Sequence, residues 1–463
     1  MFHTKKRILC ALSVVLSFGS LTMAMNNPFY DGVAGSLFAA AIGDGLGGFT
    51  EFEPGVYDGQ PLSDSTNAVQ QMLGRGLIRT SKDLKGVYAQ RVNFLKTQGL
   101  INSKTGVAIS YTDDTAMSLV VMDILLQAQQ KNWDLQKTMS AMAYAFCTDY
   151  HSAKGWAAAG RAPGGACKNG IQLLETCIKN KKNNVCNWWR VGGLNAGGCG
   201  SVMRVHPFGL VFADDLEKAE KWAVEHSRLT HQDPIALASC AAMAVGTALA
   251  LRQEDPAVVI AGMIGAAQKY DYKDRRTVIK MQCAYEYAQT ARMLMRKKSL
   301  TTVYDALQDK EFITLHTQVF HEFKGWGAHE AIAAALYVFA LVPNDPDAAI
   351  CLGVHTPGDS DSIASLAGAL VGARAGIKKV NAQNIKEIEG RDKLRQCAHA
   401  IVTLPQFDPT ADLFIPHPVV PNQPDNLAVK DSVWKTLSDS PLKTAFGLFC
   451  TGAIGYAFYR LYA

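Results

Sequence analysis

"YTDDTAMSLVVMDILLQAQQ", residues 111–130, sets the fold class and poses the functional question. Apolar residues fall at Met117, Val120, Val121, Ile124 and Leu125, the three- and four-residue spacing of one helical face. Ahead of them stand Thr112, Asp113, Asp114 and Thr115, with two adjacent carboxylates that repel each other. Helix entrances favour acids, because the free N–H groups and the macrodipole stabilise negative charge. A simple N-terminal cap is therefore one reading. Cation ligation is the other, and it requires a partner elsewhere in the chain.

The same spacing returns in "IALASCAAMAVGTALALRQ", "PAVVIAGMIGAAQKY" and "HEAIAAALYVFALV", where alternating β-branched runs are scarce. Gly and Ala are abundant inside these segments and permit close helix–helix approach. From Asn27 to about Thr403 the pattern predicts one all-α domain with its chemistry on connecting loops. Residues 51–110 are mixed and read as a helix embedded in long connections.

Composition narrows the function. The 463 residues are 48% hydrophobic and 19% charged, enough to bury a large core. The formal charge is only +5, with Lys+Arg 46 against Asp+Glu 41 and no dense basic stripe, so a nucleic-acid partner is not expected. The 11 cysteines are scattered and include no CxxC pair, which argues against zinc knuckles and a disulfide framework. Cys240 and Cys283 read as small core hydrophobes. This usage points to a reducing compartment.

The partner for the opening stretch is "TPGDSDSIASLAGALVGARAG", residues 356–376. It again sets two acids, Asp359 and Asp361, and a hydroxyl, Ser362, at a helix entrance. If the two entrances face each other, Thr112, Asp113, Asp114, Asp359, Asp361 and Ser362 form an all-oxygen cage. Hard divalent ions, Mg²⁺ or Mn²⁺, prefer such ligands, and four carboxylates suit two ions better than one. A second feature is "GGLNAGGCGSVMRVHPFGL", whose glycines leave backbone N–H groups able to approach an anion; a flexible loop explains it equally well. A third, "EHSRLTHQDPIA", holds His226 and His231 near a helix start, where a lone histidine is more often structural.

Taken in order, "GSLFAAAIGDGLGGFTE", "YTDDTAMSL", "GRAPGGA", "GGCGSVMRVHPFGL", "SRLTHQDP" and "GDSDSIASLAGALVGA" resemble the ADP-ribosylglycohydrolases, over about residues 31–400. The resemblance implies an orthogonal all-α fold with a binuclear Mg²⁺ site in a cleft, Mn²⁺ being a possible substitute. It implies Thr112, Asp113, Asp114, Asp359, Asp361 and Ser362 as metal ligands and Glu51, or Glu53, at the mouth of the site. Gly197, Gly198, Cys199, Gly200 and Ser201 would cradle the diphosphate of ADP-ribose. His231 would contact the nucleotide, and Gly160 to Gly164 would line the same cleft. Pro357 departs from the family pattern, which usually has a second glycine there. The implied chemistry is hydrolysis of an N-glycosidic bond by a water that Asp114 deprotonates, with help from Asp113 or Glu51. "GDSDS" and "GGCG" look closer to arginine-directed than to serine-directed members, so the expected substrate is a protein carrying ADP-ribosyl-arginine and the expected product free ADP-ribose. The competing readings are a non-catalytic, membrane-tethered ADP-ribose-binding module and a hydrolase of serine-linked or small-molecule ADP-ribosyl groups.

The ends stand outside this resemblance. Residues 1–26 carry Lys5, Lys6 and Arg7 before an uncharged stretch and a T-M-A triplet, the pattern of a secretory signal or of a buried or membrane-lying helix. The domain of residues 27–403 is followed by a proline-rich linker at 404–441, whose residues 404–427 hold six of the 17 prolines. In residues 442–463 the span from Thr444 to Tyr459 is uncharged, between Lys443 and Arg460. As a helix it would reach about 24 Å, short of the roughly 30 Å of a typical hydrocarbon core. A short tail anchor is expected, with the catalytic domain on the cytosolic side and the mitochondrial outer membrane one candidate; secretion by the N-terminal signal is the alternative.

Overall fold

The computed structural model describes residues 27–48, 51, 109–152, 160–161, 163–272, 274–307, 309–354, 356 and 358–404. The expectations for residues 1–26, 52–108 (Glu53 included), Pro357, the linker beyond Leu404 and the C-terminal helix fall outside them. Among the described residues the structure is all-α, and β pairing is limited to the isolated bridges Ile109–Ile388, Gly193–His231 and Gly198–Gly327. The all-α expectation therefore holds.

Two helices form the centre. Pro28–Gly47 is capped by Asn27, whose side chain accepts from the Phe29 N–H at 2.9 Å. Ser360–Ala375 runs antiparallel to it, because Gly32 meets Ala373, Gly35 meets Gly372, Gly43 meets Ala364 and Gly47 meets Ser360 and Asp361. Small residues on both sides let backbone touch backbone: a Cβ at Gly43 would lie 2.4 Å from the Ala364 carbonyl oxygen. Both helices are buried along most of their length, as expected of helices that are apolar all round.

The helix Pro234–Leu251 is buried at every residue. It is the one described helix long and apolar enough to cross a membrane, and here it serves as a core element. Asp233 starts it by accepting from the Ile235 N–H at 3.0 Å. Cys240 is buried within it as expected, whereas Cys283 is only partly buried against the core. Outer helices such as Gly165–Lys179 and Arg391–Val402 bury one narrow stripe and leave their charged residues outside it.

The Gly43 contact decides the sign of a substitution. In an exposed helix interior Gly→Ala gains about 1 kcal/mol. At Gly43 the added methyl would press on backbone, and overpacking costs about 1–3 kcal/mol. Gly43→Ala should therefore lower the midpoint of urea unfolding; a raised midpoint would show that the helices have room to separate.

Candidate functional site

The antiparallel pairing brings the C-terminal end of Pro28–Gly47 to the N-terminal end of Ser360–Ala375. A Cβ at Gly47 would lie 2.4 Å from the Ser360 carbonyl oxygen and 2.5 Å from the Asp361 Cα, so only glycine permits this approach. Ser360 Oγ donates to the Gly47 carbonyl at 2.8 Å and pins the junction. Glu51, one turn on, donates its N–H to the Gly47 carbonyl at 3.0 Å. Glu51, Asp359 and Asp361 consequently offer oxygens that all lie within 4.8 Å of one another.

The second acidic segment is held against the first by Asp44, which accepts from the Thr112 N–H at 2.8 Å and the Thr115 N–H at 2.9 Å. One helix thus caps another, and the entrance of Asp113–Gln130 is fixed over the cluster. The approach is braced from behind. Arg161 forms a buried ion pair with Glu389 and donates to the Tyr111 carbonyl, while Ser110 Oγ donates to Glu389 at 3.0 Å. The Arg161 carbonyl in turn accepts from the Asp113 N–H at 3.1 Å.

The cap reading makes a checkable claim, and Asp359 does not meet it. Asp359 occupies the N-cap position of Ser360–Ala375, yet its side chain makes no capping hydrogen bond. Asp114 is 2% exposed and its Oδ1 has no hydrogen-bond partner. Burial pushes the Asp114 carboxyl well above its usual range, and Asp361, Asp44, Asp113 and Asp359 push it in the same direction. Asp359 is raised likewise, by burial and then by Asp361. Asp44 is pushed up to about 6, first by burial and second by Asp361. An unpartnered buried oxygen among like charges in an all-oxygen donor set fits a hard divalent cation.

The glycine-rich loop lies against the same cluster. Cys199 Sγ donates to Asp359 Oδ2 at 2.8 Å and accepts from Ser362 Oγ at 3.7 Å. The Cys199 N–H donates to the Trp326 carbonyl at 3.1 Å, so this residue presents its side chain rather than its amide. Ser201 is fully buried, its hydroxyl accepting from Ser227 Oγ at 2.9 Å. Arg204 anchors the loop by donating to the Gly200 carbonyl, to Thr230 Oγ1 at 2.7 Å and to His226 Nε2 at 3.0 Å.

His231 sits beneath Gly200: a Cβ there would meet His231 Cε1 at 3.1 Å and Cys167 Sγ at 2.7 Å. Its Nδ1 lies 2.7 Å from Thr230 Oγ1. That hydroxyl also accepts from Arg204, which links the imidazole to the buried guanidinium. Burial, then Arg204, depresses the His231 pKa to about 3, and the ring is neutral. Nearby, Gly164 opens the helix Gly165–Lys179, and a side chain at Gly160, Gly164 or Gly165 would meet nothing within 4 Å among the described residues.

A model of the ADP-ribosylglycohydrolase family matches residues 25–410. The chain belongs to the ADP-ribosylglycohydrolase family. The family comprises glycosylhydrolases that act on ADP-ribose linkages, and its members are typically metal-dependent. Among similar proteins is ADP-ribosylhydrolase ARH3 of Bos taurus, 22% identical over 365 residues that cover 75% of this chain and 92% of the relative. A solved "ADP-ribosylglycohydrolase-related protein complex" superposes with a TM-score of 0.48 at 17% identity, covering 81% of this chain and 98% of that one.

Among the described residues the structure brings Glu51, Asp113, Asp114, Asp359 and Asp361 together, with Cys199 bonded to Asp359 and Ser362 to Cys199 and Asp361; Glu53 lies outside them. Asp44, Arg161 and Arg204 were each inside a quoted motif but had no role there. Glu389 lay in no motif, and nothing local marks it as the partner of Arg161.

Raised carboxyl pKa values have a defined sign. The contribution of Asp44 to folding is fully present below the ordinary carboxylate range, near 4, and is lost as pH rises through about 6. Asp114 and Asp359 act in the same direction. The metal-free protein should therefore melt at a lower temperature at pH 7.5 than at pH 5.5. Saturating Mg²⁺ should recover several degrees at pH 7.5 and little at pH 5.5, since an ion at a hundredfold its Kd stabilises by about 2.7 kcal/mol. Melting curves at both pH values, with and without Mg²⁺, check this; equal Mg²⁺ effects at the two would show that the ion binds elsewhere.

Proposed function

We propose that the chain is a Mg²⁺-dependent hydrolase that cleaves the N-glycosidic bond of ADP-ribosyl-arginine on proteins and releases ADP-ribose. The observation that carries this reading is the convergence of the two acidic helix entrances, with Asp359 not capping its helix and Asp114 Oδ1 left without a partner. Thr112, Asp113 and Asp114 on one side, and Asp359, Asp361 and Ser362 on the other, would hold two Mg²⁺ ions, with Mn²⁺ as a substitute. Bound there, the ions would supply Lewis-acid stabilisation and lower the pKa of a water.

The chain's own groups divide the remaining work. Asp114 is the base that takes the proton from the attacking water. Asp113 and Glu51 assist it, Glu51 from the half-buried mouth of the cluster. Gly197, Gly198, Gly200 and Ser201, with the helix start at Gly164, form the diphosphate side of the cleft. His231, neutral, contacts the nucleotide. The guanidine leaves once protonated, because it is strongly basic. "GDSDS" and "GGCG" support arginine as the acceptor residue.

The assay is release of ADP-ribose from arginine- and serine-linked ADP-ribosyl peptides, with and without Mg²⁺. Asp114→Ala and Asp361→Ala should each lower kcat at least about a hundredfold with helical circular dichroism retained. His231→Ala should mainly raise KM. Near wild-type turnover by either aspartate variant in EDTA would remove the metal-dependent mechanism, and release mainly from serine-linked peptide would remove the arginine assignment alone. For location, we propose a tail anchor at residues 442–463 that leaves the catalytic domain in the cytosol. Deleting residues 441–463 should then move active protein from the membrane pellet to the soluble fraction.

A further inference from the structure

The structure assigns a soft donor to the acidic cleft: we propose that the Cys199 thiol is itself a metal ligand and shifts the ion preference of the Asp359 side from magnesium toward zinc. The inference rests on the metal-binding reading above and extends it to a side chain outside that oxygen cage. Cys199 Sγ stands 2.8 Å from Asp359 Oδ2, with Ser362 Oγ at 3.7 Å from the sulfur. Asp359 also shares the three-carboxylate cluster with Glu51 and Asp361. Thiolate is a poor ligand for Mg²⁺, which demands oxygen donors, whereas Zn²⁺ takes sulfur and carboxylate together in compact sites.

Three features keep the thiol in place. Its backbone N–H is tied to the Trp326 carbonyl, and the next residue's carbonyl is held by the buried Arg204 guanidinium. The thiol itself donates to Asp359 Oδ2, and the residue is half-buried. Independently of the cysteine, the buried and unpartnered Asp114 Oδ1 belongs to a carboxylate that acts electrostatically on both Asp359 and the Cys199 thiol. The binding step is balanced simply. A zinc–sulfur bond forms, the thiol proton passes to solvent, and no electrons are transferred.

The test uses the reduced full-length chain as wild type, Cys199→Ser, Asp359→Asn and Cys186→Ser, the last altering an exposed cysteine away from the acids. Competition dialysis gives the ratio of zinc to magnesium affinity, and cobalt loading reports sulfur ligation as a thiolate-to-cobalt charge-transfer band. Circular dichroism establishes that each variant is folded. In Cys199→Ser the ratio should fall at least about tenfold and the cobalt band should vanish. Cys186→Ser should keep both, and Asp359→Asn should lose zinc affinity as well. An unchanged ratio in Cys199→Ser, or a cobalt band that survives there, overturns the proposal. If wild type still binds Mg²⁺ and releases ADP-ribose in that case, the proposed function stands. Failure of wild type to bind any divalent ion would overturn both.

Discussion

Backbone contact between Pro28–Gly47 and Ser360–Ala375 is the constraint on which the site depends. A helix turns about 100° per residue, so a one-residue slip between the two would swing Asp361 away from Glu51. Glycine at Gly35, Gly43 and Gly47 removes the slack that would allow such a slip, because any Cβ there would sit 2.3–2.4 Å from a carbonyl oxygen of the partner helix. The register is thus set by sterics along the core and read out at its end as the spacing of carboxylates. Packing and chemistry are coupled through one helix pair.

That end concentrates negative charge in a buried place. Two helix N-termini point their partial positive charge at it, and backbone N–H groups bond Asp44 and Asp361. Helix dipoles supply about 0.3–1 kcal/mol each, too little to offset several buried like charges. The raised pKa values of Asp44, Asp114 and Asp359 express the remaining deficit, and a divalent cation has the charge to reverse it. The Arg161–Glu389 pair cannot serve that purpose, since its charges satisfy each other. It acts by fixing the Ser110–Thr112 backbone, and removing one partner of such a buried pair costs about 3–5 kcal/mol.

Helical spacing made the fold class legible, because the core helices repeat apolar residues at three and four positions over long runs. The acids of the site were legible for a different reason. Each pair breaks an apolar pattern at a helix entrance, where Asp113 and Asp359 stand out against their neighbours. Asp44 was hidden by its setting between glycines in a helix, where a single acid reads as a surface residue; it is fully buried because it caps a helix more than sixty positions away. Glu389 was hidden by distance, since its partner Arg161 lies 228 positions earlier. Local pattern reports the face a residue occupies. It carries no record of which remote backbone groups need a partner.

The glycine-loop side of the acidic cluster has the opposite electrostatics. Arg204 is fully buried, and the hydrogen-bond partners found for it among the described residues are neutral: Gly200 O, Thr230 Oγ1, His226 Nε2, Cys167 Sγ and Met117 Sδ. A buried cation bonded only to neutral groups leaves its field uncancelled at short range. By direct repulsion it adds to burial in keeping the His231 ring from taking a second proton. His231 therefore remains neutral throughout the physiological pH range. An anion settling over the glycine loop would meet this positive potential, while the facing carboxylates would repel it unless cations covered them. Metal binding and anion binding on the two sides should for that reason be cooperative, each relieving the charge that the other half cannot cancel.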